Sequence, residues 1–226
     1  MRKTRFIILL ENYENNKEKI EKGPYVRQMD LAITCHQLVI LKDKEMYTCH
    51  ITWDLLHLWD LSPEKLFEQA GEDSRTFLPP VIEPLNDVIK RCMEEEQMQY
   101  TQGCLADALF KAEKDFINFF ECMGEGFPKL YVVSNEHCVQ GASVVYYTDV
   151  LREFAKKLGC DLVMLPSSVH EWLVLAAPEA GELKDLESIV RDANRLVVRE
   201  HEILSNNVYR YSLKNDKIEM WSENTL

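Results

Sequence analysis

Residues 163–175 read "VMLPSSVHEWLVL", two apolar runs on either side of Pro166, Ser167, Ser168, Val169, His170 and Glu171. The stretch is either an active site that happens to be local in sequence or a turn between two buried strands. Proline and serine are turn formers. Both flanks are apolar at nearly every position instead of alternating, which places both strands deep in a sheet. A Ser–His–acid triad needs three side chains converging from a positioned scaffold. On an extended chain Ser168 and His170 share a face while Glu171 points away. The stretch is therefore expected to be a hairpin turn.

The same grammar extends outward in both directions. Downstream, a helix over 182–198 carries Leu183, Leu186, Ile189, Val190, Ala193 and Val197 on its apolar side, and "VYRYSL" and "KIEMW" follow as two strands. Upstream, "KLYVVS" (129–134) and "ASVVYY" (142–147) read as strands. Thr148 then caps a helix that buries Leu151, Phe154, Ala155 and Leu158 and stops at Gly159. Near the start, "TRFIILL" (4–10) reads as a buried strand and a short helix runs up to Gly23. "LAITCHQLVI" (31–40) and "EMYTCHI" (45–51) form a hairpin about "LKDK". Thr52 caps a helix through "WDLLHLW"; Ser62 and Pro63 open another, which Gly71 is expected to stop.

Hairpin, threonine cap and helix thus occur twice, at 31–60 and 129–159. The expected class is α+β, with mostly antiparallel sheets built from β-hairpins alternating with helices, plus an inserted helix. The organisation is an N-terminal lobe over 1–93, a linker and inserted helix over 94–128, and a C-terminal lobe over 129–226, forming one compact unit. In the inserted helix, Phe116, Phe119 and Phe120 lie on or beside one apolar stripe. Such a stripe is core or a docking face. The loose "EEEQMQYTQG" before it is long enough for the helix to fold back, which favours a monomer.

Composition narrows the classes. The chain has 226 residues, 46% of them hydrophobic and 28% charged, enough for a substantial core. No apolar run approaches the roughly 18 residues needed to cross a bilayer. The apolar start after "MRKTR" is shorter than a signal-peptide core. Seven scattered cysteines, an odd number with no CxxC pair, fit a reducing, cytoplasmic compartment. The net charge of −12 argues against direct nucleic-acid binding, which draws on basic patches.

Catalytic signatures are missing: no nucleophile elbow, no phosphate loop, no HExxH, no GxGxxG. No catalytic residue and no cofactor is expected. The Cys–His pairs offer one weak alternative. If Ile40 lies opposite Met46, His36 falls opposite His50, and two imidazoles could join two further ligands around zinc. Zinc-finger spacing is absent, and the expectation is no metal.

"HITWDLLHLWDLSPEKLFEQA", "FLPPVIEPLNDVIK" and the long block from "LYVVSNEHC" through "LPSSVHEWLVL" resemble a clostridial domain-of-unknown-function family (number 5688). The resemblance covers nearly the whole chain, and "LPSSVHE" is its most specific part. It implies no activity and no catalytic residue. The resemblance implies that members begin with a further α+β segment that this chain is expected to lack, and that the helix over 100–124 is an addition. The expected role is a non-enzymatic interaction or regulatory protein whose partner is another protein, with Phe116, Phe119, Phe120, Ser168 and His170 as candidate contact residues. Two alternatives stand: an acidic phage or mobile-element inhibitor occupying the basic groove of a nucleic-acid enzyme, and an enzyme of unrecognised type.

Overall fold

The computed structural model describes residues 4–42, 45–94, 128–147, 149–196 and 198–222. Numbered along the chain, its strands are β1 Phe6–Asn12, β2 Tyr25–Gln28, β3 Leu31–Lys42, β4 Glu45–His50 and β5 Pro80–Pro84, then β6 Tyr131–Asn135, β7 Leu162–Ser168, β8 Glu171–Ala176, β9 Tyr209–Ser212 and β10 Lys217–Met220. The helices are α1 Tyr13–Ile20, α2 Trp53–Leu58, α3 Pro63–Phe77, α4 Leu85–Glu94, α5 Val150–Leu158 and α6 Leu183–Leu196. The class is α+β, with two sheets whose strand pairs are antiparallel.

The hairpin at 163–175 lies in the middle of a six-stranded sheet ordered β10-β9-β7-β8-β6-β5. Leu162, Met164, Trp172 and Val174 face a core shared with the other sheet. Val163, Leu165, Leu173 and Leu175 face the opposite way, into a second core with Leu85 and Val88 of α4 and Leu186 and Val190 of α6. Both faces are covered, so neither flank alternates. The turn itself is Val169–His170, since Ser168 already pairs with Glu171, and a register shift falls between Pro166 and Ser168.

In the four-stranded sheet β3 is central. It pairs with β1 along one side and with β2 and then β4 along the other. Phe6, Ile8, Leu10, Leu31, Ile33 and Cys35 point into the shared core. The outer edge of β1 is covered: the Phe6 and Ile8 amides donate to Asp73 Oδ2 (3.0 Å) and Ser74 Oγ (2.8 Å) of α3. At the far edge of the six-stranded sheet, β5 begins and ends with proline, which cannot donate to another strand. Asp30, between β2 and β3, ties the sheets together by accepting from Ser205 Oγ (2.6 Å), Asn207 Nδ2 (3.0 Å) and the Tyr209 hydroxyl.

Three expectations are corrected. "ASVVYY" is not a strand: residues Gly141–Tyr146 form a 3-10 helix, so the second hairpin of the apparent repeat does not exist. Gly141 to Val145 are all buried, and a run apolar at every position carries no period to separate strand from helix. Their backbone bonds go elsewhere, because the Ala142 amide donates to the Val169 carbonyl (3.1 Å) and its carbonyl accepts the Trp172 indole N–H (2.9 Å). Gly71 does not stop α3, which continues to Phe77. Beyond it, Ser74 is buried and holds β1, and Leu78 is buried with Ile7 and Leu9, so tertiary contact outweighs the cost of a mid-helix glycine. Ile189 of α6 is 48% exposed, although Leu186 and Val190 beside it are buried.

Other details follow the sequence. Thr52 and Ser62 are N-caps with side-chain bonds, and Gly159 ends α5 with φ 74°. At the start of α5 the N-cap position is Asp149, whose carboxylate pairs with Arg75. The residues Thr148 and Val197, named above, lie outside the described residues. β2, β5 and α4 are elements not foreseen.

Two glycines give a paired test. A Cβ on Gly141 would lie 2.6 Å from the His170 carbonyl oxygen and 2.7 Å from the Asn135 nitrogen, both backbone atoms. Gly141→Ala should therefore cost about 1–3 kcal/mol or more. Gly71 has nothing within 4 Å of its would-be Cβ. Gly71→Ala should stabilise by about 0.5–1 kcal/mol, a rise of a few degrees in Tm by calorimetry. Equal Tm changes in the two variants would contradict this packing.

Candidate functional site

The "PSSVHE" turn gathers a buried polar cluster. Ser167 Oγ donates to Glu171 Oε1 (3.1 Å), and Ser168 Oγ accepts the His170 amide (3.0 Å). Ser134 Oγ on β6 donates to the His170 carbonyl (2.7 Å). The His170 ring accepts the Gln140 amide at Nδ1 (3.0 Å), which leaves its proton on Nε2, 3.5 Å from Glu202 Oε1. Burial alone would push the Glu202 carboxyl up, but the bond from His170 and the Arg199 guanidinium outweigh it and hold it below the ordinary carboxylate value. The Val169 amide adds a bond to the Glu202 carbonyl (2.9 Å).

This arrangement clasps three loops together. Ser168 is 0% exposed, its hydroxyl serves the turn backbone, and both His170 nitrogens face partners other than a serine. That is the geometry of a turn, as its sequence implies. Phe116, Phe119 and Phe120 lie outside the described residues.

The register of the β3–β4 hairpin puts His36 directly opposite His50. Ile40 pairs with Tyr47 and not with Met46, and an irregularity between Leu38 and Ile40 absorbs the extra residue. The two rings stand 5.2 Å apart. A directed chain of bonds passes through His36: Thr48 Oγ1 donates to His36 Nδ1 (3.1 Å), His36 Nε2 to Thr34 Oγ1 (3.2 Å), and Thr34 Oγ1 to Glu11 Oε2 (3.0 Å). Lys19 closes it with a bond to Glu11 Oε1. His50 Nε2 is buried with no hydrogen-bond partner. Among the described residues no three metal-ligating side chains converge.

Residues 2–213 match the family described as "Family of unknown function (DUF5688)". The chain belongs to that family. The match takes in every element except β10. No curated protein and no solved structure matches the chain. Among the described residues of this DUF5688 member, no helix is long and apolar enough to cross a membrane.

A third feature is apolar and exposed. The six-residue helix α2 buries Leu56 and leaves Trp53 (41%), Leu58 (77%) and the following Trp59 (36%) exposed. Trp59 rests partly on Phe6, with ring centroids 5.6 Å apart. Acidic groups surround this helix in sequence: Asp54, Asp60, and then Glu64, Glu68 and Glu72, all exposed and four residues apart along α3. Sequence reasoning placed the helix but did not single out its surface. The available signal was the density of apolar residues in "WDLLHLW", since a helix of under two turns cannot bury them on every side.

Two outcomes are expected. His170→Ala leaves the Glu202 carboxylate without its nearest donor in a buried site, and should cost about 2–3 kcal/mol by denaturant titration. No change in the midpoint would remove the clasp from the account.

Acid should destabilise the protein from near neutrality. Burial lowers the imidazoles of His36, against the pull of Glu11, and of His50, which falls from 6.5 to about 4. Folding therefore favours the neutral rings, and this contribution is complete above about pH 6.5 and lost as pH falls toward 4. Glu11 titrates in the same sense: burial raises it, but the neighbouring His36 ring and the hydrogen bond and charge of Lys19 hold it at about 2, so its contribution fades from pH 4.5 downward. Tm should decline steadily below pH 6.5, and less steeply between 6.5 and 4 in His50→Gln. A Tm flat over that range would contradict the assignment.

Proposed function

We propose that this DUF5688 member is a non-enzymatic, cytoplasmic protein-interaction or regulatory protein, and that it binds its partner through the surface of α2. The observation that carries this reading is the exposure of two tryptophans and a leucine within seven residues. Tryptophan is the side chain most enriched among residues that dominate binding energy. The acidic row along α3, next in sequence to α2, supports a partner that carries a basic segment with an apolar anchor, attracted by charge and held by the indoles. The buried turn at Ser168 and His170 supports this role indirectly, by keeping the scaffold rigid.

The same acidic row favours a second reading: an inhibitor, carried by a phage or mobile element, that offers its acidic surface to the basic groove of a nucleic-acid enzyme. The two differ in whether the captured partner loses a nuclease or polymerase activity on binding.

A photo-crosslinker at position 58 in the native host should capture one protein. That protein, purified, should bind the parent chain and bind Leu58→Asp and Trp53→Ala at least about tenfold more weakly, a loss of 1.4 kcal/mol or more. Both variants should keep the parent's Tm, because the replaced side chains are exposed. Undiminished binding by both variants would move the partner site elsewhere. A crosslinked homodimer, matched by light scattering of the parent, would replace a foreign partner with self-association.

A further inference from the structure

Among the described residues β4 pairs with β3 alone, so its outer edge is open. The Ile51 amide donates to the Cys35 carbonyl (3.1 Å). Bonding direction alternates along an antiparallel strand, so the backbone groups of Cys49 and Tyr47 turn toward β3 and those of Thr48 and Met46 turn away. No described residue bonds to those outward groups. Past Thr48 the edge closes, because the chain entering β2 lies against Ile51: a Cβ on Gly23 would meet the Ile51 carbonyl. The other edges are guarded. α3 covers β1, prolines flank β5, and β2 and β10 are only four residues long and carry Arg27 and Lys217. β4 has six residues, no proline, and uncharged side chains at Met46 and Thr48.

The sheet face beside this edge is apolar and continues the surface of α2. Phe6, Gln37 and Cys49 form one row across β1, β3 and β4, and Ile40 and Tyr47 form a second row beyond it. Residues two apart on a strand share a face, so Tyr47 lies on the same side as Cys49 and Phe6, the side on which Trp59 rests against Phe6. Tyr47 is 58% exposed and Ile40 48%. Single apolar side chains at a surface are ordinary. Beside unpaired backbone donors and acceptors they supply both parts of a strand-addition site, main-chain bonds for affinity and alternate side-chain contacts for selectivity.

We propose that β4 receives an added β-strand: an extended segment of another protein, apolar at alternate positions and basic between them, bonded to the backbone of Met46 and Thr48 and covering Tyr47. This inference rests on the protein-interaction role proposed above, and it names the conformation in which the partner's basic segment binds. Only an extended chain presents donors and acceptors at the spacing of a strand edge. Alternation follows from the pleat, which brings every second side chain of the added strand over the face of Tyr47 and Ile40. Charge selects the occupant, because a chain carrying −12 repels a second copy of itself and attracts a segment rich in lysine or arginine.

The test uses the full chain and three peptides of about ten residues: one alternating lysine and valine, its glutamate–valine counterpart, and a lysine–valine peptide of the same charge interrupted by prolines. The alternating basic peptide should bind with Kd below about 1 mM and protect the Met46 and Thr48 amides from hydrogen exchange, read by NMR. The other two peptides should bind at least about tenfold more weakly. Met46→Pro removes one outward amide, and proline is tolerated on an edge strand whose N–H faces solvent. It should weaken binding by at least about tenfold. Tyr47→Ala, at an exposed position, should also weaken it and provides the test if the proline variant proves unstable. No binding by the alternating basic peptide, equal binding of all three peptides, indifference to both substitutions, or protection confined to other amides would overturn the proposal. So would a parent dimer by light scattering in which the Met46 and Thr48 amides are already protected. The α2 reading fails separately: a partner captured from position 58 that is sensitive to Leu58→Asp and indifferent to Met46→Pro would remove the added strand and keep α2.

Discussion

The burial of both faces of the β7–β8 hairpin is the constraint on which the rest of the structure rests. Trp172, fully buried, holds the inner face against the four-stranded sheet, stacks edge-on to Tyr209 at 5.2 Å and donates to the 3-10 segment. The outer face needs α4 and α6 above it. Each fully buried large apolar side chain contributes about 1.5–3 kcal/mol. A hairpin apolar on both sides therefore commits the chain to three layers. One sheet lies between a second sheet and a pair of helices, and the segments connecting them must cross at close range.

Those crossings bring polar groups into the interior, and their bonding accounts for the features that look catalytic. Ser134, Ser167, Ser168, His170 and Glu202 bind one another and the loop backbone where three connections meet. Asp30 gathers three donors at the junction of the sheets. Glu11, Thr34, His36 and Thr48 form one directed chain along β1, β3 and β4. In each case the serine and threonine hydroxyls and the His36 and His170 ring nitrogens are engaged with the protein itself. Buried polar groups left unpaired are costly, so evolution toward a stable interior and toward a reactive one place the same residue types under opposite demands.

What the interior does not engage stands out by contrast. Trp53, Leu58 and Trp59 remain at the surface, next in sequence to the helix that carries the acidic row. The proposed partner contact rests on that arrangement.

The sequence by itself determined the class of the fold, the buried hairpin with its turn, the caps at Thr52 and Ser62, and the end of α5 at Gly159, because each is set by residues within a few positions of one another. It also placed His36 opposite His50, though by a register that the irregularity near Val39 had to restore. Tertiary structure decided the rest. The 3-10 segment at 141–146 reads as a strand because it is apolar throughout, and only the approach of Ser134, Asn135 and His170 to Gly141 shows why it coils. α3 runs past Gly71 because Ser74 and Leu78 meet β1 beyond it. The surface of α2 showed in the sequence only as the apolar density of "WDLLHLW", with nothing to say which of those side chains stay exposed. Exposure is a property of what does not pack against a side chain, and that depends on residues far away along the chain.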